Sequence, residues 1–185
     1  MKKNWSIGLM TGTSNDGNID IAALQTDGNK ILDFGPFELF SYEDMEIKEL
    51  IFKTFQEAKK WNFVGKEPEI FSIIEKKITL EQSKAVQNFI DKYKLNKDYI
   101  SCIGFHGLTV LHQPFSADTL SRKTKQLGDG KMMAEFLQLP VVNNFRCNDI
   151  EHGGQGAPLA PIYHLALANY IKEKNIVFFF IVGVS

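Results

Sequence analysis

Three short apolar runs divided by turn chemistry open this chain, and they restrict its fold more than any other feature. Trp5 to Met10, Ile19 to Gln25 and Ile31 to Tyr42 each read as strands. The segment between the first two, Thr11 to Asn18, is made almost wholly of small and polar residues. Asp27-Gly28, between the second and third, is a hairpin signal. Three antiparallel strands are therefore expected at the start of the domain, with Gly35-Pro36 as a point where the third can break.

Helices follow. Ser41 and Asp44 resemble a capping box ahead of a helix from about Met45 to Lys60, in which Ile47, Leu50, Ile51 and Phe55 recur at helical spacing. Pro68 suits the first turn of a second helix that runs toward Tyr93 and buries Ile70, Phe71, Ile74, Ile78, Ala85, Phe89 and Ile90. Ile100 to Phe105 is a strand ending at His106-Gly107, Asp129 to Leu137 a helix, Leu139 to Val142 a strand and Leu159 to Tyr170 an apolar helix. Strands first, then helices alternating with strands, give an α/β domain with a mixed sheet. Ile176 to Ser185 reads as a fully buried strand, which needs neighbours on both faces and suggests the front part of a longer protein.

Chemistry concentrates in three places. Asn143 to Leu159 runs from the end of an apolar strand into an apolar helix and holds Arg146, Asp149 and the glycines Gly153, Gly154 and Gly156. Glycines at that density let backbone turn tightly and approach another molecule, and a carboxylate beside such a turn lies where α/β proteins keep their chemistry. The plainer reading is a glycine-rich connection with a solvated Asp. The hairpin Gly12-Thr13-Ser14-Asn15-Asp16-Gly17 packs backbone N–H groups and hydroxyls into a small space, a nest for phosphate. Asp16 fits among those donors when a divalent cation bridges it to the anion. The hairpin lacks the Gly-Lys-Ser/Thr ending of a P-loop, and an ordinary turn is the alternative. His106 lies at a strand end where a ligand can meet it, with His112 a few residues beyond.

Composition excludes several classes. With 185 residues, 44% of them hydrophobic, and a net charge of −1, the chain supports a real core and carries no electrostatic footprint for nucleic acid. Arg122-Lys123-Thr124-Lys125 reads as a solvated loop. No apolar run indicates a signal peptide or a membrane anchor. Cys102 and Cys147 have no metal spacing and read as small buried thiols in a reducing compartment.

Taken in order, Gly-Thr-Ser-x-Asp-Gly from Gly12, Gly-x-His-Gly-x-Thr-Val-x-His from Gly104, Gln-x-Gly-Asp from Gln126 and Phe-Arg-x-x-Asp from Phe145, followed by Gly-Gly-Gln-Gly-Ala-Pro-Leu, form a set that resembles the anhydro-N-acetylmuramic acid kinases from Ile7 to Ser185. The resemblance implies the ribonuclease-H-like fold of the actin, sugar kinase and Hsp70 superfamily. Residues 1–185 would then be the N-terminal domain with the start of the second, and the rest of the second domain would be absent. It implies an ATP- and Mg²⁺-dependent kinase that opens 1,6-anhydro-N-acetylmuramic acid to N-acetylmuramic acid 6-phosphate, a cytoplasmic step in peptidoglycan recycling, and a homodimer without nucleic-acid or membrane partners. By match, Asp149 is the catalytic base. Gly12, Thr13, Ser14, Asn15, Asp16, Gly17, Asn18 and Ile19 bind ATP phosphates, and Asp16 sits near Mg²⁺. His106, Gly107, Arg146, Gly154 and Gln155 bind the sugar.

The chain departs from that pattern at several points. Asn143-Asn144 stands where Gly-Asp is expected, Leu108 where Gln is expected, and the second hairpin carboxylate is displaced to Asp20. The terminal run, Phe180 to Ser185 with Val182, differs from the expected second phosphate loop. A half-cleft cannot exclude water, so the chain is expected to be inactive alone. Two other readings stay open: another sugar kinase of the same superfamily, and a non-catalytic sugar- or nucleotide-binding module of truncated origin.

Overall fold

In the computed structural model, residues 4–11, 17–42, 44–115, 121–171 and 176–177 are described, apart from the Met45 side chain. The main sheet contains β1 (Trp5–Thr11), β2 (Asn18–Thr26), β3 (Ile31–Ser41), β4 (Ile100–Phe105) and β7 (Val141–Asn143) in the order β3-β2-β1-β4-β7. β1 pairs antiparallel with β2, and β2 with β3, whereas β4 runs parallel to both β1 and β7. The sheet is mixed, as expected. The terminal strand expected at Ile176 to Ser185 lies almost wholly outside the described residues.

Alternation decides which face is covered. Ile7 and Leu9 on β1, Ile19, Ile21 and Ala23 on β2, and Ile103 and Phe105 on β4 point to one side and are buried. Helices α1 (Met45–Trp61), α2 (Ile70–Lys92) and α3 (Gly130–Leu137) close that side. Every residue expected on the buried face of α2 is buried except Ile70, which packs at its margin.

Several local expectations are corrected. β3 continues through Gly35-Pro36, because an edge strand can dispense with one N–H and the missing Cβ makes room for the Trp5 ring. Asp44 alone caps α1, accepting from Glu46 N, while Ser41 stays in β3 and donates to Asn18. Pro68 precedes α2 rather than entering its first turn; its carbonyl accepts from Phe71 N. Lys123 to Lys125 belong to β6 (Lys123–Leu127), which pairs antiparallel with β5 (Leu108–Gln113), and Lys125 meets Glu67 at 2.7 Å.

The buried polar side of α2 holds the chain ahead of the functional region. Glu75 accepts from Gly128 N at 2.9 Å and the Thr79 hydroxyl from Asp129 N at 3.0 Å. Gln82 donates to the Tyr42 hydroxyl at 2.6 Å. Burial pushes that phenol up to about 12. Asp129 then caps α3 by accepting from Met132 N. The turn between β6 and α3, which leads on to β7, is thus held by two side chains of one helix, Glu75 and Thr79.

Candidate active site

The parallel strands β1, β4 and β7 end side by side, and at that end lies an open cavity of about 1000 Å³. Clefts beyond the carboxyl ends of such strands are the usual ligand sites of α/β sheets. Met10, His106, Asn143, Phe145, Asn148 and Asp149 are among its lining residues. Gly8 and Gly104 form part of its floor.

Asp149 sits on a short helix, α4 (Phe145–Glu151), and not on a glycine-cornered strand end. Phe145, Asn148 and Asp149 fall on one face of this helix and His152 caps its end, and all four line the cavity. The chain reverses immediately after it. Gly153 N donates to Ile150 O, and Gly154 N to Asp149 O at 2.8 Å. Gly153 and Gly156 adopt φ values of 89° and 74°, the left-handed region that glycine enters without strain.

That reversal brings backbone onto the carboxylate. Gly156 N donates to Asp149 Oδ2 at 2.7 Å. Oδ1 has no hydrogen-bond partner among the described residues. Gly154 lies directly under the carboxyl group, where a Cβ would overlap it. The glycine motif therefore has a physical purpose: it lets the main chain grip an acidic side chain that lines a cavity.

Arg146 acts on the other side of the same turn. Its Nη1 donates to Gly156 O at 2.7 Å and its Nε to the Thr109 hydroxyl at 3.3 Å. Burial lowers its pKa. Gln155 accepts from Phe115 N at 3.0 Å, tying the turn to the end of β5. Of the residues proposed to meet the sugar, His106 lines the cavity beside Asp149; Gly107, Arg146, Gly154 and Gln155 surround or support it without lining it. Gly107, at φ 67°, presses against the Leu127 carbonyl, and its own carbonyl accepts from Thr11 Oγ1 at 2.9 Å.

Burial first, then the Arg146 charge, hold the His106 and His112 imidazoles below the usual histidine range, so both favour the neutral form. The contact of His106 Nδ1 with the Gly107 carbonyl, at 3.1 Å, opposes this in part. Neither ring nitrogen of His112 has a hydrogen-bond partner among the described residues. Burial also raises the Cys147 thiol.

Of the hairpin after β1, residues Gly12 to Asp16 lie outside the described residues. Gly17 is at φ 72°, with Lys48 of α1 packed across it and its carbonyl accepting from Tyr42 N at 2.9 Å. Asn18 opens β2, and Ile19 is a core residue. Asn148 and Phe145 are not among the site residues expected from the sequence, and Asn143 enters there only as a departure from the family pattern. A 3.6-residue repeat over Phe145 to His152 is the signal that points to the first two.

Among the described residues no helix is long and apolar enough to cross a membrane. The family model described as anhydro-N-acetylmuramic acid kinase matches residues 4–185. A protein of that name from Rhizobium rhizogenes is 46% identical over 90% of this chain and 44% of its own length. The relative from Brucella anthropi is 47% identical over the same shares, and one from Jannaschia sp., named anhydro-N-acetylmuramic acid kinase 2, is 47% identical over 92% of this chain and 45% of its own length. The chain thus spans a little under half the length of these curated relatives. With the match extending from Asn4 to Ser185, and with its glycine-gripped Asp149 beside His106, the chain belongs to the anhydro-N-acetylmuramic acid kinase family.

Proposed function

We propose that this chain carries the catalytic base and the first phosphate-binding hairpin of an ATP-dependent kinase that acts on 1,6-anhydro-N-acetylmuramic acid. The product is N-acetylmuramic acid 6-phosphate, and the setting is cytoplasmic peptidoglycan recycling by a homodimer. One observation carries the reading: Asp149 lines the cavity with one oxygen held by Gly156 N–H and the other without a hydrogen-bond partner among the described residues. A carboxylate held that way can take a proton from water without swinging out of place. The water oxygen then attacks the anomeric carbon, the anhydro bond to that carbon breaks, and the freed O6 accepts the γ-phosphoryl group.

His106, which lines the same cavity, is proposed to hydrogen-bond the sugar as a neutral imidazole. Arg146, Gly107, Gly154 and Gln155 serve the sugar site by shaping it. Gly12 to Ile19 are proposed to cradle the ATP phosphates; the left-handed turn at Gly17 and the Lys48 cation packed over it fit an anion site. Among the described residues no cluster of three His, Cys, Asp or Glu side chains comes together for a metal, so the Mg²⁺ contact is assigned to Asp16 through the match alone. Bound Mg²⁺ and ATP supply the phosphoryl group and neutralise its charge. The order β3-β2-β1-β4-β7 with β2 antiparallel supports the ribonuclease-H-like assignment, with residues 1–185 as the N-terminal domain and the start of a second.

Residues 1–185 joined to the remaining half of the Rhizobium rhizogenes relative provide the test. ATP consumption is expected with 1,6-anhydro-N-acetylmuramic acid and not with free hexoses. Turnover of free hexoses in preference to the anhydro sugar would favour a different sugar kinase. Calorimetric binding of the sugar without any turnover would favour a binding module.

A further inference from the structure

The Gln126 side chain joins the segment that follows β4 to the start of α4. Its Nε2 donates to the His106 carbonyl at 2.9 Å, and its Oε1 accepts from Arg146 N at 3.1 Å. Because one end faces a carbonyl and the other an N–H, only one orientation of the amide satisfies both contacts. Arg146 is in the first turn of α4, whose N-cap Asn144 is left-handed, at φ 61°, and makes no side-chain cap bond. Gln126 therefore caps, from β6, a helix that its own sequence leaves uncapped.

The connection continues to Asp149. Arg146 Nη1 holds Gly156 O, and Gly156 N holds Asp149 Oδ2. Each link is a polar contact between part-buried groups, where a lost partner is costly. β6 belongs to the small β5–β6 sheet, so this amide joins that sheet both to the end of β4 and to the start of α4.

We propose that Gln126 is a positioning residue: its amide fixes the relation between His106 and Asp149, the first directly and the second through Arg146 and Gly156. The inference rests on the kinase reading for its catalytic meaning, but the geometry is testable without turnover.

The experiment is amide hydrogen exchange and ¹³C NMR on this chain, comparing wild type with Gln126→Leu and Gln126→Glu. The Leu variant removes both contacts. Exchange at Arg146 is expected to rise about three- to tenfold, the equivalent of one lost hydrogen bond. Gly156 exchange is expected to rise with it, and the Asp149 carboxyl ¹³C resonance to move, while core amides such as Ile103 keep their protection. The Glu variant retains an acceptor for Arg146 N and loses the donor to His106. It is expected to restore protection at Arg146 and Gly156 and to perturb His106 and Gly107 alone. Unchanged Gly156 exchange and an unmoved Asp149 signal in the Leu variant would overturn the proposal. So would a uniform loss of protection across the fold in both variants, which marks a general structural role. Neither outcome depends on whether the anhydro sugar is the substrate.

Discussion

Gly154 should tolerate a methyl group thermodynamically far better than it tolerates one functionally. Its φ lies outside the left-handed region, so alanine imposes no backbone strain there; the added Cβ would overlap the Asp149 carboxylate. That carboxylate is the free end of a short side chain and can rotate away. The cost is then the hydrogen bond from Gly156 N, on the order of 1.5–3 kcal/mol for a bond to a charged group. For a domain of this size that lowers Tm by roughly 3–12 °C. Gly153→Ala is the matched control. Its Cβ meets no neighbour within 4 Å among the described residues but must hold φ at 89°, which costs about 1–2 kcal/mol. The two variants should melt at similar temperatures and differ in Asp149. Carboxyl ¹³C NMR of the chain and turnover of the completed enzyme read that difference. Gly154→Ala should move the Asp149 signal and reduce turnover about 10²-fold or more, the lower end of what a positioned base contributes. Gly153→Ala should leave turnover within about threefold, a barrier change well under 1 kcal/mol. Equal turnover in the two variants would refute the claim that Gly154 is there to seat the carboxylate.

Two further predictions concern the scaffold and its titration. Tyr42→Phe leaves the buried Gln82 amide without its acceptor and should cost about 1–3 kcal/mol, while the double variant with Gln82→Leu should recover most of that; urea unfolding of all three checks it. The folded-state pKa values of His106 and His112 lie below the unfolded value near 6.5, so the unfolded chain binds more protons between the two. Stability should be full above about pH 6.5 and fall as pH drops through the folded values, and His106→Gln should flatten that slope in urea titrations at stepped pH.

Much of the fold is legible in the sequence because the signals there are long. The alternation in Ile19 to Gln25 and the apolar repeat from Phe71 to Ile90 leave one choice of buried face, and the structure buries those residues. The β5–β6 hairpin was harder to read. Lys123-Thr124-Lys125-Gln126 is polar and only partly buried, and its pairing partner is separated from it by a segment with no short turn signature. The helix under Asp149 was obscured for a different reason. It has seven residues, lacks a capping side chain of its own and begins at a left-handed Asn144, so every local stop and start rule argues against it. Its cap comes from Gln126, twenty residues earlier. Asp149 and His106 were visible as residues at strand ends. That Arg146 braces the turn instead of lining the cavity depends on Thr109 and Gly156, which only the folded chain brings together.

Asp149→Asn in the completed enzyme bears most directly on the role of this carboxylate. The amide keeps an oxygen for Gly156 N–H but cannot take a proton from water, so turnover of the anhydro sugar should fall about 10²–10⁴-fold while sugar affinity stays within a few-fold. Turnover within twofold of wild type would contradict Asp149 as the base and leave the glycine turn without its proposed purpose.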